Sequence, residues 1–305
     1  MIDILSAGYT AVNRRGWVLL FPIILDLYLW FGARLSFAPI MGAIRNEIAF
    51  LADFVTRSPQ QREALVITII NADMRQFLAW FNLVPLLGPD TLRMLPAGQA
   101  VLTLNDPLSI VFSVALINVV ALILSSIFFT LLARSVTGRF GHTAYPRYLW
   151  HALQGIAGYL IILFGFLLGI GLPFAMLLAL VSQALPALTA YVLVFGFLIG
   201  FWIMVYTGFA VEAVLISEVN TLQAILYSIR LVQRNFWSAM GLLMLTILIT
   251  TGLSFLWADL IQGFWGVLVA VLGSAYISSG LVAARMVFYQ QRWKEITQST
   301  KTKRR

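Results

Sequence analysis

The chain contains no cysteine, which excludes disulfides, thiolate metal sites and cysteine nucleophiles. Two histidines, His142 and His151, are too few for a His-rich metal or haem site. Charge is scarce: Asp, Glu, Lys and Arg make up 10% of the 305 residues, against ~25% in an average soluble domain. The sequence has no His-Glu-x-x-His, no Gly-x-Ser-x-Gly elbow, no Walker A motif and no charged ring of a selective pore. No cofactor or metal is expected. What remains is apolar. Hydrophobic residues are 61% of the chain and the mean hydropathy is +0.91. That leaves too little polar surface to cover a water-soluble globule. An ordinary cytoplasmic enzyme, a disordered protein and a nucleic-acid binder are thereby excluded. The composition predicts an all-α, polytopic transmembrane bundle with the lipid bilayer as its main partner.

A bilayer core of ~30 Å needs about 20 apolar residues per helix. Six segments meet that length, at about 16–35, 107–133, 153–181, 186–216, 236–257 and 264–288. The stretch 153–216 is almost wholly apolar. A break at Ser182-Gln183-Ala184-Leu185-Pro186 gives two helices, and one at Gly169-Ile170-Gly171-Leu172-Pro173 would give three. Charge favours two. With six spans and the N-terminus inside, 14 of the 20 Lys and Arg fall on the cytoplasmic side. Five of the six outside sit in one long segment, and long segments translocate largely regardless of charge. Both termini are therefore expected in the cytoplasm. Arg14-Arg15 before an apolar run resembles a signal peptide, but the run is long, contains Asp26 and lacks a small-x-small cleavage site. It reads as an uncleaved span.

The whole chain, 1–305, reads as a single membrane domain with three non-spanning parts. An extracytoplasmic insert at 36–106 carries two amphipathic patterns. One places Ile40, Met41, Ile44, Ile48, Leu51 and Val55 on one face. The other starts at a Ser58-Pro59-x-Gln61 cap and continues through Leu65, Ile69, Ile70, Met74, Phe77 and Phe81. Both are expected to lie on the membrane face. A cytoplasmic interfacial helix at 218–235 has an apolar stripe of Leu222, Ile225, Leu226, Ile229 and Val232. Gln223, Ser228, Arg230 and Gln233 face away, and Arg230 and Arg234 are candidates for anionic lipid headgroups. The tail 289–305 is basic and reads as a topology anchor.

The pattern Glu212…Glu218, then Ala224-Ile225-Leu226-Tyr227-Ser228, then Val232-Gln233-Arg234-Asn235-Phe236-Trp237 opening an apolar span resembles a group of bacterial six-span inner-membrane proteins. The group includes the membrane domain attached to some glycerophosphodiester phosphodiesterases. The resemblance covers the C-terminal third and implies a bacterial inner-membrane location. The carboxylate and histidine cluster of the soluble phosphodiesterase is absent, and the long insert departs from the group's pattern.

Asp26, at the centre of the first span, is the main candidate for intramembrane chemistry, because an ionisable group there costs about 2.5–3.5 kcal/mol on insertion scales. Its other reading is structural, as a packing group bonded to Asn118 or to a hydroxyl of a neighbouring span. Glu212 and Glu218, six residues apart, lie on different helix faces, which argues against paired acid–base work. Small residues suggest close helix packing at Gly165 and Gly169, Gly196 and Gly200, and Gly266, Gly273 and Gly280. Such faces serve the monomer, a homo-oligomer or another membrane protein. The expected function is a non-catalytic scaffold, assembly factor or complex subunit. The alternatives are a small transporter using Asp26 and Asn118, and a lipid-acting enzyme with its site at the outer cap.

Overall fold

The computed structural model describes residues 1–53, 56, 58–70, 73, 75, 84–87, 101–138, 145–261 and 263–302. It is almost entirely helical, and its apolar helices make the chain an integral membrane protein. Five helical stretches are long and apolar enough to cross a bilayer: Pro107–Thr137, Tyr145–Ala184, Pro186–Ser217, Phe236–Leu260 and Phe264–Gln298. They coincide with the last five expected spans. The first expected span is shorter than proposed, a continuous apolar helix over Gly16–Phe31.

Before it lies a helix that composition does not advertise, α1 (Ile2–Asn13). Ile4, Gly8, Ala11 and Val12 form its buried face at helical spacing. A 3₁₀ turn (Gly16–Leu19) leads into α2 (Leu20–Phe31). The all-α expectation needs one small correction. β1 (Arg34–Ser36) pairs in parallel with β2 (Val101–Thr103), tying the two ends of the insert together. Within the insert, the first expected helix is two, α3 (Ala38–Ala43) and α4 (Arg45–Asp53), parted at Ile44. The second, α5 (Pro59–Ile70), starts as expected, with the Ser58 hydroxyl accepting from the Gln61 N–H. It ends at Ile70. Asp73 already bridges to Ser36, and Met74, Phe77 and Phe81 lie outside the described residues, as does Val55. Ile48 and Ala52 of α4 bury against Val66 of α5, with Arg45–Glu63 and Arg62–Asp53 ion pairs across the hairpin. The two helices thus cover one another's apolar stripes.

α6 (Pro107–Thr137) is capped by Asp106, whose carboxylate accepts from the Ser109 N–H, and by left-handed Gly138. α7 (Tyr145–Phe166), a π-helical segment (Leu167–Gly171) and α8 (Leu172–Ala184) form one continuous rod. Pro173 cannot donate to the Gly169 carbonyl, and the ladder widens there instead of breaking. The stretch 153–216 therefore holds two long helical stretches, parted at Leu185-Pro186. α9 (Pro186–Thr207) returns alongside α8. α10 (Ala210–Ser217), α11 (Thr221–Arg234), α12 (Phe236–Leu260) and α13 (Phe264–Thr302) complete the chain.

The core is concentrated at one end of the bundle. Ile4 of α1, Phe209, Ala213 and Val214 around α10, Ala224, Leu231 and Val232 of α11, Ala239 and Leu242 of α12, and Ala284 and Phe288 of α13 pack together. The C-terminal half of α6 joins through Phe128, Leu132 and Ala133, with Ala152 and Ile156 of α7. A smaller cluster at the opposite end joins Trp30, Leu87, Ile261, Val267, Ala270 and Val271.

Candidate functional site

Asp26 is fully buried in the smaller cluster. Its partner is neither Asn118 nor a hydroxyl. The Leu87 backbone N–H donates to its Oδ1 at 3.1 Å, while Oδ2 has no partner among the described residues. Asp26 lies six residues before the end of α2 at Gly32, about 9 Å into the helix at 1.5 Å per residue. Residues 84–87 are non-helical and must reach that depth. Val84 and Leu87 are buried there, the condition under which irregular backbone is tolerated at such a level. A second tie sits at the end of α2. Arg75, 1% exposed, donates to the Tyr28 and Gly32 carbonyls at the C-terminal end of α2 and pairs with Asp73 at 2.7 Å. Asp73 in turn accepts from the Leu35 and Arg75 N–H groups. Asp26 and Arg75 thus pin the insert onto α2.

Asn118 spends its amide on its own helix, donating to the Val114 carbonyl at 2.8 Å. Ser125, Ser126, Thr246 and Thr250 likewise bond back within their helices. The structure does not bring Asp26 and Asn118 together.

The main core holds a buried ion pair. Glu212, 3% exposed, meets the Arg285 guanidinium at 2.7 Å, and Arg285 also donates to the Gly208 carbonyl. One turn on, Tyr289 and Ser217 share a hydrogen bond of 2.8 Å. These contacts bolt α10 to α13. The Ser228 hydroxyl donates to the Tyr206 carbonyl at 2.7 Å and accepts from the Phe209 N–H at 3.0 Å, satisfying the backbone at the break between α9 and α10. This corrects the expected stripe of α11. Its buried face is Ala224, Ser228, Leu231 and Val232, and Leu222 and Leu226 are exposed. Arg230 and Arg234 are exposed as well, and Trp237 is 82% exposed beside them.

The glycines divide into two sets. A Cβ at Gly196 would collide with the Phe174 ring, one at Gly266 with the Leu260 carbonyl, one at Gly273 with Trp257 and one at Gly280 with Tyr9. At Gly165, Gly169 and Gly200 a Cβ would meet nothing within 4 Å. A further close helix approach involves a glycine that sequence reading passed over. Gly8 faces the Ala284 backbone, and Gly155 and Gly158 likewise face Val214 and Thr221. Among the described residues no three His, Asp or Glu are grouped to hold a metal ion.

Comparison with known families, characterised proteins and solved structures returns no match to this chain. The reading of function therefore rests on the geometry.

Proposed function

We propose that the chain is a non-catalytic six-span protein of a bacterial inner membrane, with both termini cytoplasmic, acting as a scaffold, assembly factor or complex subunit. In this reading α2 with its 3₁₀ turn is the sixth span, short because the insert closes over its outer end. The observation that carries the reading is the uneven use of glycine. Gly8, Gly155, Gly158, Gly196, Gly273 and Gly280 are filled by neighbours within the chain, whereas Gly165, Gly169 and Gly200 offer bare backbone on the α7–α9 arm. Bare small-residue faces are how lipid-embedded helices admit a partner helix. The partner is a second copy or another membrane protein. The distribution of Lys and Arg supports the orientation, and the resemblance of 212–237 supports the location. The separate bonding of Asp26 and Asn118 speaks for a scaffold over a transporter.

The test is photocrosslinking from Gly200 in intact membranes. A discrete protein adduct that Gly165→Leu abolishes is expected, and labelling of lipid alone would refute the reading. A companion pair separates the transporter alternative. Asp26→Asn keeps an acceptor for Leu87 and should be close to silent in stability and in any measured flux. Asp26→Leu strands a buried N–H and should cost about 1–3 kcal/mol. Loss of a flux in Asp26→Asn at normal expression would favour transport.

A further inference from the structure

A slot of about 470 Å³ lies between α1, the end of α6 and α13, beside the main core. α1 lines it with Asp3, Ser6, Thr10 and Arg14, and Ser135 and Gln290 line it from α6 and α13. The slot has a direction. α1 runs antiparallel to α13: Gly8 lies against Ala284, the Tyr9 hydroxyl donates to the Ile277 carbonyl, and Tyr276 donates to Asn13 Oδ1. Arg14 therefore stands level with the apolar stretch of α13, and Asp3 stands level with Gln290, where that stretch has ended. Eleven residues of helix separate the two, about 16 Å at 1.5 Å per residue. One stripe of the chain changes character at Arg14. The polar line of Asp3, Ser6, Thr10 and Arg14 continues, at steps of three and four residues, as Trp17, Leu20 and Ile24, and all of these are exposed.

From the mouth inward the order is hydroxyls and an amide, then a cation, then an amphipathic indole, then aliphatic carbon. A phospholipid of the same leaflet presents headgroup, phosphate, glycerol and acyl chain in that order, and indoles prefer the interfacial level. Charge narrows the headgroup. Arg14 has no carboxylate partner among the described residues. Asp3 lies in the first turn of α1, where the helix N-terminus offsets its charge. The Thr10 and Ser135 hydroxyls already donate to the Ser6 and Ala11 carbonyls, so they meet a ligand as acceptors. Headgroup alcohols supply the matching protons. An ammonium two carbons from a phosphate on Arg14 would instead stand near the guanidinium and among neutral side chains. We infer that this slot binds an anionic phospholipid with a hydroxylated headgroup. Arg14 takes the phosphate, Ser6, Thr10 and Gln290 take the headgroup alcohols, and an acyl chain runs along Trp17, Leu20 and Ile24. The site is distinct from the exposed Arg230 and Arg234. The inference rests on the bilayer placement proposed above and not on the scaffold reading.

The test is native mass spectrometry of the full chain released from micelles with equal phosphatidylglycerol and phosphatidylethanolamine. The expected result is one firmly retained phosphatidylglycerol per chain, with retention weakened about tenfold or more in Arg14→Gln, as for loss of a charge-assisted bond. Ser6→Phe, which fills the slot and keeps every charge, should weaken it as well. Both residues are exposed, and each variant should melt like the parent without lipid. Added phosphatidylglycerol should raise the melting temperature of the parent only. Arg230→Gln/Arg234→Gln should leave the firmly retained lipid in place. Equal or preferred retention of phosphatidylethanolamine, or full retention by both slot variants, would overturn the inference. Displacement by soluble glycerophosphoglycerol at matching concentration would overturn the lipid as source and assign the slot to a free phosphodiester. Failure of the crosslinking test above leaves each of these readouts unaffected.

Discussion

Gly8 and Gly200 both sit within helices and meet opposite surroundings. Gly8 lies against the backbone of α13, while Gly200 has open space in front of it. The same contrast separates two regions of the molecule. In the most apolar window of the α7–α8 rod no residue is buried, whereas in that of α13 more than half are. Hydropathy alone cannot tell these helices apart, since lipid and protein interior are equally apolar. What distinguishes the packed end is its polar content. The Glu212–Arg285 pair, the Ser228 bridge and the Tyr289–Ser217 bond all lie there, and the ties from the arm, Tyr148 to the Leu215 carbonyl and Thr221 to the Gly155 carbonyl, involve only the start of α7, near the packed end. Helix association in lipid has little hydrophobic driving force, and close backbone contact with satisfied polar groups takes its place.

The contrast can be broken from the packed side. The largest effect is expected for Arg285→Met, which strands a buried Glu212 carboxylate. Breaking a pair of this kind costs about 3–5 kcal/mol. A sharp drop in melting temperature in detergent should report it, and Glu212→Gln/Arg285→Met should recover most of the loss. Next is Gly8→Leu, which forces α1 off the Ala284 backbone at about 1–3 kcal/mol, read in the same melt together with faster proteolysis of the N-terminal helix. Ser228→Ala removes one hydroxyl from the break between α9 and α10 and should cost about 1 kcal/mol, with hydrogen exchange rising first at Phe209. The smallest effect is expected on the arm, where Gly165→Leu and Gly200→Leu in the isolated chain should stay within about 0.5 kcal/mol of the parent.

How far the sequence spoke follows the same division. Apolar length located the five long spans, because a run of some 20 apolar residues has few other uses. The N-terminal helix escaped notice because Asp3, Ser6, Thr10 and Asn13 dilute its hydropathy, although Ile4, Gly8, Ala11 and Val12 kept the period of a buried face. The stripe of α11 was misread at Ser228, where a hydroxyl was taken as outward-facing. A break in a neighbouring helix leaves backbone groups that need a side chain, and that need is invisible locally. Asp26 was legible as a costly residue but its partner was not. Leu87 is 61 positions away and contributes a main-chain N–H, which no residue type signals. The Glu212–Arg285 pair was hidden for a related reason, as the two residues lie far apart in the chain and neither one's local pattern signals the other.

The central claim is that a packed hub and a bare arm coexist in one apolar chain. Because the chain has no cysteine, single cysteines can be placed at will and spin-labelled in nanodiscs. Oxygen accessibility should be high at positions 165, 169 and 200 and low at 213, 224 and 284. Equal accessibility across the two sets, or protection of the three arm positions in the isolated chain, would contradict the account.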